Sequence, residues 1–408
     1  MAAADVVIDV KRLIDACSDQ SRDAGISIRT VLEPIAGFMS PVKPATYAPA
    51  RTGDPPRFQE DERWWGDPPE KTRVIVIDNV PSQANRLEAA LHGLRSELGL
   101  PELVLDLSGM DTLPSHLPDQ LSSFRFPHRQ GDAYLRDAEL DGKAFTKTDL
   151  GRALLDATSD RPGPLFQWFP QALLFGYWQS HLGKKRTQSK LARSWTSEIA
   201  GYAPATREGE HTRLIGTKGD PLNLSADERV EYDDNDLLGG WEQVAGSRRA
   251  AGSRQRETLA KIGHGQVPYG DGALAGVSFQ AIEQRATVSF ASLRRIRGHD
   301  AATSALGRVL LVALGLVGQV AAFGRPFTLR SGCELRPVRS SWIWLSAEGD
   351  EHLARLSEEQ AITLLRECSN RAEAAGVTSG GGWGSEPLVL RPNGALQKAI
   401  SATWPLSK

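Results

Sequence analysis

The stretch that decides the fold is RVIVIDNVPSQANRLEAALHGL, residues 73–94. Its opening run is β-branched and is followed by the polar pair DN, which predicts a buried strand that ends at this point. Leucines then recur at helical spacing, and Ser82 after a proline is suited to cap a helix. The segment therefore predicts a strand that leads directly into a helix.

The other predicted elements do not alternate regularly. Strands are predicted at 26–31, 103–107, 286–293, 326–329 and 341–345, and helices at 147–157, 189–199, 301–323 and 357–375. We interpret Gly201 as the residue that closes the helix over 189–199, and Ser357 as part of a capping box. Residues 204–265 are polar and glycine-rich and are typical of an insertion. This order predicts a mixed α+β core rather than a parallel sheet.

Composition limits the classes of partner. The 408 residues include 48 Lys and Arg against 50 Asp and Glu, so the net charge is -2. Any nucleic-acid role must therefore come from local basic patches. The N-terminus shows no secretory pattern, and the apolar run 309–323 is shorter than a membrane span and is interpreted as a buried helix. We expect a cytoplasmic protein without membrane contact.

Catalytic and metal motifs are sparse. The three cysteines and eight histidines show neither C-x-x-C nor H-E-x-x-H spacing, which argues against a disulfide framework or a zinc site. The sequence GTKG at 216–219 lacks phosphate-loop spacing and is interpreted as a turn. Asp78 stands where a catalytic carboxylate could sit, although capping or turn formation is the alternative. We expect no catalytic residue, metal or cofactor.

Basic residues cluster near aromatic ones in one segment. The aromatic stretch 165–178 is interpreted as a strand, and cations follow it closely. The candidates for binding a phosphate backbone, with aromatics available for stacking, are Trp178, His181, Lys184, Lys185, Arg186, Lys190 and Arg193. A solvated loop beside a core strand explains the same pattern.

Two further clusters could bind anions. Arg294, Arg295 and Arg297 follow the strand predicted at 286–293. The helix start Ser82-Gln83-Ala84-Asn85-Arg86 offers backbone N–H groups, a favourable dipole and an arginine.

Several segments, in chain order, resemble a known family. They are LEPIAG at 32–37, PATYA at 44–48, IDNVPSQANRLE at 77–88, LFGYWQSH at 174–181, LARSWTSEI at 191–199, PLNL at 221–224 and SLRRIR at 292–297. Together they resemble the backbone subunit of type I-G (formerly I-U) CRISPR Cascade complexes, a member of the large RAMP family of CRISPR RNA-binding proteins.

The resemblance implies an RRM-like (ferredoxin-like) palm with an antiparallel sheet, and large insertions that form fingers and a thumb. The palm would be discontinuous, at 26–200 and 266–346, with a finger insertion at about 37–70. A thumb-like insertion would occupy 204–265, and a C-terminal helical segment would occupy 347–408.

The resemblance also implies a function without catalysis. Copies would stack helically along one guide RNA, which pairs with the target DNA strand for antiviral recognition. Other partners would be the large subunit, the small subunit, a fused guide-processing and 5'-handle-capping subunit, and a helicase-nuclease recruited on target binding. Ser82, Gln83, Asn85 and Arg86 would hold guide phosphates, with Lys43 and Tyr47 on the preceding loop.

Two alternatives stay open. Backbone subunits of type III complexes cut target RNA with a loop aspartate, and Asp233, Asp234 and Asp236 are candidates for such a metal-dependent endoribonuclease. The other alternative is a purely structural assembly subunit that does not contact RNA.

Overall fold

A computed structural model describes residues 6–47, 57–111, 113–179, 189–213, 217–218, 222, 224, 229–233, 240–244, 254–264, 266–267, 274–347 and 349–402. Its strands are β1 (Val6–Val7), β2 (Gly25–Pro34), β3 (Thr46–Tyr47), β4 (Arg57–Trp65), β5 (Glu70–Asp78), β6 (Leu103–Asp106), β7 (Gln120–Ser122), β8 (Ala138–Leu140), β9 (Lys143–Ala144), β10 (Tyr177–Gln179), β11 (Ser189–Leu191), β12 (Trp195–Pro204), β13 (Thr217–Lys218), β14 (Arg229–Asp233), β15 (Trp241–Gln243), β16 (Arg254–Thr258), β17 (Gln266–Val267), β18 (Phe279–Ser289), β19 (Phe327–Arg330), β20 (Cys333–Leu345), β21 (Glu351–Arg355) and β22 (Leu388–Pro392). Its α-helices are α1 (Val10–Cys17), α2 (Val80–Gly93), α3 (Arg95–Leu98), α4 (Ala133–Arg136), α5 (Asp149–Asp156), α6 (Gly163–Trp168), α7 (Pro170–Phe175), α8 (Phe290–Leu293), α9 (Ala301–Phe323), α10 (Glu358–Ala374) and α11 (Gly394–Ser401).

One large sheet organises the chain. Its strand order is β1-β21-β20-β2-β18-β12-β5-β4-β3, with β19 paired to β20. Neighbouring strands are antiparallel except β1 and β21. Helices and antiparallel strands share one core, which confirms the predicted α+β class.

Four strands and two helices form the centre. Along the chain they follow the order β2, α2, β12, β18, α9, β20, and in the sheet the strands lie in the order β20-β2-β18-β12. Gln284 on β18 accepts a hydrogen bond from Gln319 on α9 at 2.8 Å, so the even-numbered side chains of β18 face the helix. Glu283 and Arg285 therefore lie on the opposite face.

Helix α9 is the centre of the core. Asp300 caps it in a capping box with Thr303, and almost every side chain of the helix is buried. A Cβ at Gly315 would lie 2.5 Å from the Trp195 ring, so only glycine lets the helix approach β12 this closely. The helix is long and apolar enough to cross a membrane, but 89% of its apolar window is buried within the fold. It is therefore a core helix, as predicted.

The predicted strand over 73–77 and the helix that follows it are confirmed, but the cap differs. Asn79 is the N-cap, because its side chain accepts the N–H of Ser82 at 3.1 Å. Ser82 lies within the first turn of α2 instead. Asn79 and Ser82 are both good capping residues, and a proline is tolerated in the first turn of a helix. The sequence therefore also allows the helix to begin at Val80, directly after Asn79.

Two other predictions are wrong. Residues 189–199 are not helical, and Gly201 does not close a helix, because β11 and β12 occupy this region. β12 pairs with both β5 and β18, and these two ladders outweigh the local helical spacing. The aromatic stretch before it forms mainly α6 and α7, and only residues 177–179 are extended.

The remaining boundaries shift modestly. The strand predicted at 286–293 begins at Phe279 and ends at Ser289, where α8 starts. The predicted capping box of α10 is confirmed, since Ser357 and Gln360 exchange hydrogen bonds. The described part of the 204–265 insertion includes a small sheet, β15-β14-β16, packed around Val230, Tyr232 and Leu259.

Candidate nucleic-acid interface

An open groove of about 1000 Å³ lies beside the start of α2. Its walls come from the turn at 127–129, the α7–β10 turn, β11, the start of β12 and the residues after α8. The described residues that line it are Val80, Pro127, His128, Arg129, Phe175, Gly176, Tyr177, Trp178, Lys190, Leu191, Ala192, Arg193, Thr196 and Arg295. Cations and aromatics are thus brought together, and none of these residues is an Asp or Glu.

The β10–β11 hairpin presents an aromatic ring beside a cation. Tyr177 and Gln179 are buried, whereas Trp178 between them is 61% exposed, as strand alternation requires. Trp178 is directly opposite Lys190 in the antiparallel register, so the two side chains share the outer face. An exposed indole next to an ammonium offers both a stacking surface and a positive charge.

Arg193 and Arg295 add two exposed cations to the groove. Within the described part of the chain, no carboxylate pairs with Lys190, Arg193 or Arg295. Partial burial lowers the pKa of Arg193, and the positive charge of Arg129 lowers it further. A nearby anion would relieve this repulsion, so the Arg193 guanidinium is suited to bind one.

Arg129 and Glu88 were not found from the sequence. The Arg129 guanidinium donates to both carboxylate oxygens of Glu88 at 2.8 Å and to the carbonyl oxygen of Gly176 at 2.9 Å. Burial raises the pKa of Glu88, and the charge of Arg129 opposes that rise. The two residues are 41 positions apart, and no local sequence signal connects them.

A second polar cluster lies at the start of α2, around the fully buried Asp78. Its carboxylate accepts hydrogen bonds from Ser82 Oγ at 2.9 Å, Gln83 Nε2 at 2.5 Å, Arg86 Nε at 2.8 Å and Arg330 Nη2 at 3.0 Å. Both carboxylate oxygens accept hydrogen bonds from these donors, so Asp78 cannot act as a base toward a substrate. Arg330 comes from β19, 252 positions away, and no local sequence signal connects it with Asp78.

The residues at the start of α2 that were predicted to bind phosphates therefore differ in their burial and in their hydrogen-bond partners. Gln83 is fully buried and also accepts hydrogen bonds from Ser197 and Gln284, so its amide faces the core. Arg86 is partly exposed and also donates to the carbonyl oxygen of Leu329. Asn85 is exposed.

Lys43 and Tyr47 also lie next to this cluster. The carbonyl oxygen of Lys43 accepts a hydrogen bond from Arg330 at 3.1 Å. Burial raises the pKa of Tyr47, the Asp78 charge adds to that rise, and a side-chain hydrogen bond with Asn79 opposes it. Val80, the residue after Asn79, lines the groove, so the two sites adjoin at the start of α2.

The basic run at 294–297 divides among three surroundings. Arg295 lines the groove, whereas Arg294 donates to the carbonyl oxygens of Ala16 and Asp23. Arg297 is 72% exposed and lines a separate pocket of about 470 Å³ near the start of α9, with Asp160 4.0 Å away. The short helix α8 and the turn after it separate these side chains.

Some candidates lie outside the described residues, namely His181, Lys184, Lys185, Arg186, Asp234 and Asp236. Asp233 is described and belongs to β14.

Metal and thiol chemistry find little support in the described residues. No group of three or more His, Cys, Asp or Glu side chains among them could hold a metal ion. Burial raises the pKa of Cys17, Cys333 and Cys368 to about 12 each, which keeps these thiols protonated and unreactive at neutral pH.

Comparison with known families gives one match. Residues 26–205 match a family model of CRISPR-associated proteins, so this part of the chain is similar to that family. The family is the one described as CRISPR-associated protein GSU0053. The matched range includes β2, α2 and β12, and most of the residues that line the groove. No curated protein matches the chain.

Proposed function

We propose that the chain is the CRISPR RNA-binding backbone subunit of a type I-G Cascade surveillance complex, and that it oligomerises along the guide RNA. The observation that carries the proposal is the groove, where an exposed Trp178 lies beside Lys190, Arg193 and Arg295 with no acidic residue among its described lining. The match to a CRISPR-associated family supplies the biological setting.

The chemistry of the groove suits binding that does not depend on sequence. Lys and Arg side chains neutralise phosphates and release counterions, whatever base is attached. An indole stacks on any base, because every base has a π-face. A guide must tolerate any spacer, and these two contacts provide that tolerance.

We infer that the β2-α2-β12-β18-α9-β20 unit is the ferredoxin-like palm. Both its chain order and its antiparallel strand order agree with that arrangement. The β4–β5 hairpin is then a finger, and the 204–265 insertion is the thumb.

We also infer that RNA binds in the groove and not on the sheet face opposite α9. RRM domains stack bases on exposed aromatics of their sheet. Here that face carries Glu283, which accepts hydrogen bonds from Arg29 and Trp65 at 3.0 Å and from Arg285 at 3.1 Å. Tyr202 on the same face is buried against Trp65. Ion pairs and buried rings leave little stacking surface there.

The proposal assigns no catalysis to this chain. Asp78, the one carboxylate at a strand end that suggested a base, is fully buried among four donors. The proposed partners are the guide RNA, target DNA through guide pairing, further copies of this chain, the other Cascade subunits and the recruited helicase-nuclease, all in the cytoplasm.

The test is binding of the purified chain to a labelled CRISPR RNA and to an unrelated RNA of equal length. Salt is varied, and the products are viewed by electron microscopy. We expect equal, salt-sensitive affinities for the two RNAs and helical filaments on both. Strong preference for one sequence would contradict the proposal, and metal-dependent cleavage of complementary RNA by the assembled complex would favour the endoribonuclease.

A further inference from the structure

We propose that Arg129 is the positioning residue of the groove, holding the α7–β10 turn so that Trp178 and Arg193 face the same bound strand. The inference rests on the proposed function of the groove, since it concerns how the binding side chains are held.

Arg129 itself is poorly placed to bind a ligand. Its side chain is only 9% exposed, and its guanidinium is occupied by the Glu88 carboxylate and the Gly176 carbonyl oxygen. The Phe175 ring lies against it, with its centroid 5.7 Å from Cζ. The charge of Arg129 is thus compensated inside the protein, and the residue contributes hydrogen bonds of fixed direction to Glu88 and Gly176.

The backbone of Arg129 supports this interpretation. Its φ of 54° is in the left-handed region, which residues with a side chain rarely adopt. Such a conformation persists only where the surroundings over-determine it. Here three hydrogen bonds to α2 and to the Gly176 turn supply that determination.

The Gly176 turn transmits the position to both binding side chains. Gly176 has a φ of 77°, and a Cβ there would lie 2.7 Å from the carbonyl oxygen of Leu191 and 3.0 Å from the amide nitrogen of Arg193. The turn therefore packs directly on the segment that carries Arg193, and Trp178 follows it by two residues. By fixing the Gly176 carbonyl, Arg129 links Glu88 on α2 to both sides of the groove.

The test uses Arg129→Lys, which keeps the charge but cannot form the fork with Glu88 and the bond to Gly176 together. RNA affinity is measured across a salt series in two backgrounds, the wild type and Trp178→Ala/Arg193→Gln. In the wild type we expect about a tenfold loss of affinity and a salt slope that falls by at most about 0.7, the contribution of the one phosphate that Arg193 neutralises. In the second background we expect less than about a threefold loss, since the side chains that Arg129 positions are already gone.

An equal loss in both backgrounds would overturn the inference, because it would show that Arg129 acts through general stability. Wild-type affinity of the Trp178→Ala/Arg193→Gln variant would overturn the proposed groove instead, so the two failures are distinguishable. If Arg129→Lys does not fold, Glu88→Gln/Arg129→Met replaces the ion pair with neutral side chains of similar volume, a change that folded proteins often tolerate. We expect the same tenfold loss from it, and full affinity in this folded variant would refute the positioning role.

Discussion

The groove predicts a defined number of electrostatic contacts with RNA. We consider the triple variant Lys190→Gln/Arg193→Gln/Arg295→Gln, which removes the three exposed cations and leaves polar, uncharged side chains in their place. On single strands, each neutralised phosphate contributes about 0.7 to the slope of log affinity against log salt. Loss of three contacts should therefore reduce the slope by about 2.

This change is large enough to measure. Between about 50 and about 200 mM salt, a slope difference of about 2 corresponds to roughly a 16-fold difference in how much affinity is lost. The assay is fluorescence anisotropy with an RNA of about 10 nucleotides, short enough for one subunit to dominate binding. The wild type should be the more salt-sensitive of the two proteins.

A matched control separates local contacts from net charge. Arg136→Gln/Arg297→Gln/Arg366→Gln removes three arginines whose side chains are about half exposed or more and which do not line the groove. It changes the net charge by the same amount and should keep the wild-type slope. If the control lost as much slope as the groove variant, RNA would not be bound preferentially in the groove, and the reasoning would be refuted.

Three further predictions concern the fold that holds the groove, all measured by urea unfolding. Asp78→Asn should lower the free energy of unfolding by about 3–5 kcal/mol, because it leaves two arginines around an uncharged buried group. The exposed control Asp149→Asn should change the free energy of unfolding by no more than about 0.5 kcal/mol. Equal effects of the two substitutions would contradict the buried cluster. Burial raises the pKa of Glu283, but hydrogen bonds from Arg29 and Trp65 outweigh burial and lower the pKa overall. The stabilisation from Glu283 is therefore present above the ordinary pKa of 4.5 and is lost as pH falls through the lowered value. Glu283→Gln should reduce this loss of unfolding free energy at acid pH, and an unchanged loss would contradict the role of Glu283. Gly315→Ala should destabilise the protein by about 1–3 kcal/mol, because the added methyl group would meet the Trp195 ring. Gly318→Ala in the same helix meets only ordinary contacts and should be neutral or stabilising. A larger loss of stability in Gly318→Ala than in Gly315→Ala would refute the close approach of α9 to β12.

Strong local patterns in the sequence predicted the central elements. The strand at 73–77 is β-branched throughout its interior, and α9 occupies the range 301–323 that was predicted for it. The helix predicted at 189–199 was wrong because β12 is defined by its partners on both sides, and pairing with distant strands leaves no local mark.

The candidate site was predictable in its composition but not in its assembly. Trp178, Lys190, Arg193 and Arg295 were all candidates from their local surroundings, and the groove brings them together. The sequence could not show that Arg295 lines the groove and that its neighbours Arg294 and Arg297 do not, because the path of the chain after α8 decides which way each side chain points. Contacts across the fold place Arg129 in the groove wall and add Arg330 to the cluster around Asp78.

The most direct test of the central claim is to locate bound RNA on the protein. RNA containing a photoreactive uridine is bound to the full chain, crosslinked with light, and the attached peptides are identified by mass spectrometry. RNA in the groove predicts crosslinks to the hairpin that carries Trp178, with their loss in Trp178→Ala. Crosslinks confined to the sheet face around Glu283, Arg29 and Arg285 would contradict the account.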